Sequence, residues 1–447
     1  MSQVPQGDRI PTRVVCFPNC AYLSETSRMI AIHQALTALG VDAVMASHGG
    51  THEHLLTDSG IDWDRVEPQV SMRRSQEFVA NTPGIGSPRQ SMWSDSEIRT
   101  TAMAERDYLD AVGADAVVNG FQLTTLISSR LSRIPLVTSH AGSWVPPVME
   151  RGLVPASTTF LPPPMRVLPR RMLRYLANRG ALKFRGFTKG FDRVAKQLGV
   201  EGIPSLPALL CGDLTLVTEA PELIGISDEE MRNWRSRFGG VRTGTTMRYV
   251  GPLFAQLPIA IPPAVHSFLR APGPVVYVAL TSTPASTVRE TVAAVRAAGA
   301  RALVVSTVHD VAQPEDDGVL VADFLPSHLV MREVQAAVVT GGQGSVQTAL
   351  AAGTPFIGMP LQPEQEWNVA LAEKQGAARM VSVRAIEGSL PVALRELLAD
   401  DGARAQAQRV AEIYAKYDGP ALAAQAIIDY LGAGVESTGL GVSRART

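Results

Sequence analysis

Phe324-Leu325-Pro326-Ser327, Val338-Val339-Thr340-Gly341-Gly342-Gln343-Gly344-Ser345 and Pro360-Leu361-Gln362-Pro363-Glu364-Gln365-Glu366-Trp367-Asn368 are the segments that decide the reading of this chain. Ala337-Val338-Val339 is a short apolar strand that ends in Gly341-Gly342 and turns into a helix near Ser345. Glycine lets the backbone come close to a ligand. A helix start presents unpaired N–H groups and the positive end of its dipole, so a diphosphate is a natural occupant. Ser345 can cap that helix or donate its hydroxyl to a phosphate oxygen. The next strand, Phe356-Ile357-Gly358-Met359, leads to Glu364 and Gln365 at the start of a further helix. In a parallel sheet both loops open on the C-terminal edge, so cradle and polar pair face one crevice. A carboxylate and an amide there suit the neighbouring hydroxyls of a sugar. Glu364 serves equally well as a capping acid on its helix.

The same grammar extends outward. Val275–Leu280, Leu303–Val305 and Val319–Val321 read as strands, with Val288–Ala298 as a helix. The first half opens on the strand Val14-Val15-Cys16-Phe17. A helix with Met29, Ile30, Ile32, Leu36 and Leu39 at helical spacing follows, closed by Gly40, and then a strand at Ala43–Ala46. Further strands are readable at Ala116–Val118, Leu136–Thr138 and Leu214–Val217, and a helix at Leu123–Leu131. Residues 60–95 show little periodicity and read as a long, mobile loop beside a cleft. This alternation predicts an α/β protein of two doubly wound, Rossmann-like parallel-sheet domains facing a central cleft. Residues 1–240 form the first domain, the proline-rich 241–273 the connection, 274–432 the second domain and 433–447 a flexible tail.

At 447 residues two cores are the natural expectation. A net charge of −1 gives no electrostatic case for nucleic acid. Cys16, Cys20 and Cys211 form neither an even disulfide framework nor a zinc set, and fit buried thiols in a reducing, cytoplasmic compartment. No apolar run is long enough for a transmembrane helix. One stretch is unbalanced: from Arg166 to Lys196 ten cations accompany one acid, Asp192, with Met172, Leu173, Tyr175 and Leu176 interleaved. A basic amphipathic patch of this kind can attract an anionic membrane, placing the protein peripherally at the inner membrane surface. A solvated helix face balanced by acids elsewhere is the commoner meaning.

Together the three quoted segments resemble the donor-binding motif of family-one GT-B glycosyltransferases, the group with bacterial macrolide and glycolipid transferases and the UDP-glycosyltransferases. Phe324 to Ser327 stand for its aromatic-x-Pro-Gln segment, and Thr340 to Ser345 for its His-Gly-Gly turn. Ala349-Leu350-Ala351-Ala352-Gly353-Thr354-Pro355 and the Glu364-Gln365 pair with Asn368 complete it. The resemblance implies a GT-B fold with acceptor-binding first and donor-binding second domain, and transfer of a sugar from a nucleotide-diphosphate donor to a small-molecule or lipid acceptor. It implies inversion, and no cofactor or metal. Phe324 and Pro326 would lie near the donor base; Gly341, Gly342, Gln343, Gly344 and Ser345 would form the diphosphate turn, with Ser282 as a further phosphate contact. Glu364 and Gln365 would hold the sugar.

Two departures stand against this pattern. Thr340 replaces the histidine at the diphosphate; its hydroxyl can donate but cannot carry charge. The family's catalytic histidine falls on Glu25, and the aspartate that orients it falls on or beside Gly120. An acceptor hydroxyl still needs a base as the new bond forms. Glu25 is the first candidate, because a partly desolvated carboxylate can have a raised pKa; capping the helix together with Ser24 is its alternative role. His140 is the second candidate. His48, His52 and His54 read as a solvated loop rather than a metal site. Three functions remain open at this level: a working transferase, a donor-binding partner without catalysis, and a sugar-nucleotide epimerase.

Overall fold

The structure is a computed structural model that describes residues 12–81, 92–155, 167–237, 241–254, 256, 259–280, 283–306, 313 and 315–437. Seven strands form the first sheet: β1 (Arg13–Cys16), β2 (Asp42–Ser47), β3 (Trp63–Arg65), β4 (Ala116–Asn119), β5 (Leu136–His140), β6 (Leu214–Val217) and β7 (Thr246–Tyr249). Their order is β3-β2-β1-β4-β5-β6-β7 and every pairing is parallel. Six strands form the second: β8 (Val275–Ala279), β9 (Arg301–Val305), β10 (Val319–Ala322), β11 (Ala336–Val339), β12 (Phe356–Gly358) and β13 (Ala378–Met380). They run in the order β10-β9-β8-β11-β12-β13, again all parallel. Helices cover both faces of a parallel sheet, so its central strands are apolar without alternation. Val14, Val15 and Cys16 of β1 are wholly buried, as are Ala336 to Val339 of β11. Cys16, Cys20 and Cys211 are free, buried thiols.

The architecture agrees with the sequence reading, and the differences lie at its joints. Residues 60–95 are not one long loop: they contain β3 and the helix Met72–Asn81. The apolar signal of that helix is thin, because it buries little beyond Ser75 and Phe78. Strand β7 pairs with β6, so the first sheet extends to Tyr249, past the expected boundary at 240. Within the expected connection, the helix Pro263–Arg270 packs Val265 into the second core. The last helix, Gly419–Ser437, crosses back to the first domain, where Ala423, Ala424 and Ile427 pack with Val14, Met29, Ile32 and Leu36. The second domain therefore ends before 419, and 433–437 is helical rather than a loose tail; residues 438–447 lie outside the described residues. This returning helix, together with Trp144 packed at a tilt against Trp367 with 4.6 Å between ring centres, holds the domains to each other.

Candidate active site

Strand order reverses between β1 and β4 in the first sheet and between β8 and β11 in the second. A doubly wound sheet opens a crevice at the C-terminal ends of its strands at such a point. Here the two crevices face each other and merge into one cavity of about 410 Å³. Glu25, Gly120 and His140 reach it from the first domain, and Phe324, Thr340, Ser345, Glu364 and Gln365 from the second.

On the second-domain side, Gly341 takes a φ of +91°, a conformation that favours glycine. A Cβ there would stand 2.7 Å from Val369 Cγ2 and 2.8 Å from the Gln365 carbonyl oxygen. The helix Gln343–Ala351 then begins with Gly342 as a cap residue that offers no side-chain bond. Its first N–H groups are left for a ligand. Thr340, Gly342, Gln343, Gly344 and Ser345 all line the cavity. Gln343 turns its side chain to the other domain, donating to the Thr218 carbonyl at 3.0 Å. Glu364 and Gln365 sit in the first turn of the helix Pro363–Lys374. The Gln365 side-chain oxygen, Oε1, accepts from Leu361 N–H at 2.8 Å, which orients its amide. Burial pushes the Glu364 carboxyl up to about 7, against the Asn368 hydrogen bond and the Arg28 charge that lower it.

Asn368 does not reach the cavity as expected. Its amide donates to the Gly341 carbonyl at 3.1 Å and to Glu364 at 2.5 Å, and its oxygen accepts from Ser143 of the first domain at 2.5 Å. It ties the glycine turn, the acid and the facing domain together. Phe324 and Ser327 line the cavity, while Pro326 caps the short helix Ser327–Val330. Ser282 lies outside the described residues.

On the first-domain side, Glu25 occupies the first turn of the helix Leu23–Ala38 and is 3% exposed. Rather than capping its own helix, its Oε1 accepts from the Gly120 backbone N–H at 2.6 Å, just past β4. Any Cβ on residue 120 would overlap the Glu25 carboxylate. The spacing that aligned Glu25 with Gly120 is thus a spatial pair: a carboxylate reaches a backbone amide across the switch point, and the small residue makes room for it. Burial raises the Glu25 pKa; the Arg28 charge and the Phe121 and Gly120 amides lower it. His140, at the end of β5, is shifted the opposite way, to about 4, again mainly by burial. The Ala141 carbonyl accepts from its Nδ1 at 3.2 Å, which leaves Nε2 unprotonated. Of the three nearby histidines, His54 is exposed as expected, but the other two are not solvated. His48 is buried between Glu105 and the Val66 carbonyl, and His52 lines the cavity. Among the described residues no group of His, Cys, Asp and Glu is placed to hold a metal ion.

Residues 247–420 match the family described as UDP-glucoronosyl and UDP-glucosyl transferase. Over this stretch the chain is similar to the family-one glycosyltransferases. A "PGL/p-HBAD biosynthesis glycosyltransferase" of Mycobacterium tuberculosis is 25% identical over 328 residues, 71% of each chain. The "4'-demethylrebeccamycin synthase" of Lentzea aerocolonigenes is 32% identical over 177 residues, 38% of this chain and 42% of that one. Among solved structures, a spinosyn rhamnosyltransferase complexed with thymidine diphosphate superposes with a TM-score of 0.61 at 16% identity, covering 94% of this chain and all of that one. That likeness concerns the GT-B fold.

Against this family frame, the structure adds residues that the sequence reading did not single out. Arg28 lies one helical turn beyond Glu25 and enters the same cavity; its i+3 position after a candidate base was the available signal. Tyr22, Phe121, Trp144, Leu206 and Leu210 form an apolar wall on the first-domain side. They come from four separate segments, and no local pattern links them.

Proposed function

We propose that this glycosyltransferase moves a sugar from a nucleoside diphosphate, of the UDP or thymidine diphosphate kind, to a hydroxyl of a lipid-linked or natural-product acceptor. One observation carries the reading: an uncapped helix start at Gln343-Gly344-Ser345 shares a cavity with the Glu364–Gln365 pair and faces a buried carboxylate, Glu25, across it. The diphosphate occupies the helix start, Glu364 and Gln365 grip the sugar hydroxyls, and the acceptor lies on the apolar wall of Tyr22, Phe121 and Trp144. The acceptor oxygen attacks the anomeric carbon as the bond to the diphosphate breaks. Its proton passes to Glu25, and the configuration is inverted. Helix dipole and backbone donors stabilise the leaving diphosphate, and the reading needs no metal ion. Glu25 is a better base than His140 because burial raises the proton affinity of the carboxylate and lowers that of the imidazole.

Nucleotide release measured over a panel of sugar nucleotides, with and without acceptor, tests this. Release that depends on acceptor supports transfer. Binding without turnover would make the chain a donor-binding partner, the reading that Thr340 favours by lacking a charge. Sugar interconversion without acceptor would make it an epimerase.

The basic stretch bears on the acceptor. Its second helix is balanced by acids, Arg193 pairing with Asp95 and Lys196 with Asp192. The first, Arg170–Lys183, packs Leu173 and Leu182 inward and turns Met172, Tyr175 and Leu176 outward, with Arg171, Arg174 and Lys183 beside them. We read this face as a peripheral contact with an anionic bilayer, which would bring a lipid acceptor to the apolar wall. No described helix is long and apolar enough to cross a membrane. Wild-type protein is expected to sediment with phosphatidylglycerol vesicles at low salt and not with phosphatidylcholine ones. Replacing Arg170, Arg171 and Arg174 with Glu should abolish the sedimentation; unchanged sedimentation would remove the helix from this role.

A further inference from the structure

Arg28 is charged, 7% exposed and inside the cavity wall. Its Nη1 donates to the Ser139 carbonyl and hydroxyl, and its Nη2 to Gln343 Oε1, all at 3.3 Å. Its Nε has no partner among the described residues. Glu25 and Glu364 are near enough to act on it electrostatically, yet neither forms an ion pair with it. Both carboxylates have oxygens committed elsewhere, Glu25 to Gly120 N–H and Glu364 to Asn368. A buried guanidinium with three long hydrogen bonds and a free N–H is incompletely compensated, and the arrangement suits an anion that arrives from outside. Arg28 also has the right neighbours for one. Gln343, which it touches, is the first residue of the uncapped helix Gln343–Ala351. A Cβ on Gly344 would lie 3.5 Å from Ser24 Cβ, so the starts of the helices Leu23–Ala38 and Gln343–Ala351 converge there. Two positive helix ends and a guanidinium meet at one place.

We infer that Arg28, reaching across from the first domain, binds the diphosphate of the donor and neutralises it as it departs. This rests on the donor reading above. It gives the site the cationic donor that Thr340 cannot be, and it delivers that charge from the acceptor domain. The diphosphate is therefore held well only when the domains are together, because Arg28 and the helix start belong to different sheets. A carboxylate on the sugar is the other anion that the guanidinium could take.

Calorimetric titration of the full chain with UDP and thymidine diphosphate, and with uridine and thymidine, tests the inference. Arg28→Gln is expected to weaken the preferred diphosphate roughly ten- to a hundredfold and to leave its nucleoside within about twofold, with Arg28→Lys between. The kcat for transfer should fall further than the diphosphate affinity, since the charge on the leaving group grows in the transition state. Equal diphosphate affinity in Arg28→Gln and wild type would overturn the inference, and so would an equal loss for diphosphate and nucleoside, the mark of a structural role. If Arg28→Gln does not fold, Arg28→Lys decides: unimpaired binding and kcat alongside unchanged thermal unfolding would overturn it. A selective loss only with a uronic-acid donor, and not with the free diphosphate, would assign Arg28 to the sugar instead. A wild-type chain that binds neither diphosphate would refute the donor reading itself.

Discussion

Glu25→Gln is expected to lower kcat by about 10²- to 10⁴-fold while leaving donor affinity unchanged. The amide keeps the shape and can still accept from Gly120 N–H, so the loss isolates proton acceptance from packing. The pH profile gives an independent readout. Only the ionised carboxylate can take the acceptor proton, so the wild-type rate rises with pH as Glu25 deprotonates. Burial places that limb above the usual carboxylate range. The limb should vanish in Glu25→Gln and persist when His140 is changed to Ala. Gly120→Ala supplies the companion experiment. Its methyl group would overlap the Glu25 carboxylate and push it away from its backbone donors. Gly120 lies outside the left-handed region, so the backbone itself tolerates alanine. Transfer should therefore collapse with little change in melting temperature, and Glu25→Gln/Gly120→Ala should be no worse than Glu25→Gln alone. Full activity in Glu25→Gln would sink the assignment of the base.

Gly341→Ala should injure both the donor site and the fold. The residue is left-handed, and the added methyl group would meet the Gln365 carbonyl oxygen at 2.8 Å and Val369 at 2.7 Å. Backbone strain and overpacking together are worth about 2–4 kcal/mol. To relieve the overlap, the Glu364–Gln365 turn must shift, and with it the Asn368 bonds that join that turn to Gly341 and to Ser143 of the facing domain. Calorimetry should show a clearly lower unfolding temperature together with donor affinity reduced at least tenfold. A variant with native stability and native affinity would contradict the role of this turn. The contrast with Gly120→Ala is physical: the neighbour at 120 is the end of a movable side chain, whereas at 341 the neighbours include the backbone oxygen of Gln365 and a left-handed φ adds strain.

Ten of the thirteen strands were legible because parallel strands buried on both faces read as unbroken apolar runs; the short strands β3, β7 and β13, with charged or half-exposed residues, were not. Val275–Leu280 and Phe356–Met359 could hardly be anything else. The donor half was legible because glycines, prolines and the Glu364–Gln365 pair stand at fixed local distances, so one sheet edge is written in one stretch of chain. Asn368 was half legible. Its position follows from helical spacing, but that its amide is spent on Gly341, Glu364 and Ser143 follows from the packing of three segments. The helix Met72–Asn81 was not read, because it is mostly polar and buries only Ser75 and Phe78, so few apolar residues mark it.

The amino-acid order alone determined two Rossmann-like sheets, a glycine turn at a helix start, and the coincidence of Glu25 with Gly120 at unusual positions. Only the tertiary structure decided what that coincidence means: crossing between β1 and β4 brings residues 95 positions apart within 2.6 Å, so a carboxylate bonds a backbone amide where a side chain would not fit. The same is true of Arg28, whose significance comes from Gln343, 315 residues away. Local sequence fixes local geometry through backbone preference and burial period, whereas a site shared by two domains depends on how their surfaces meet.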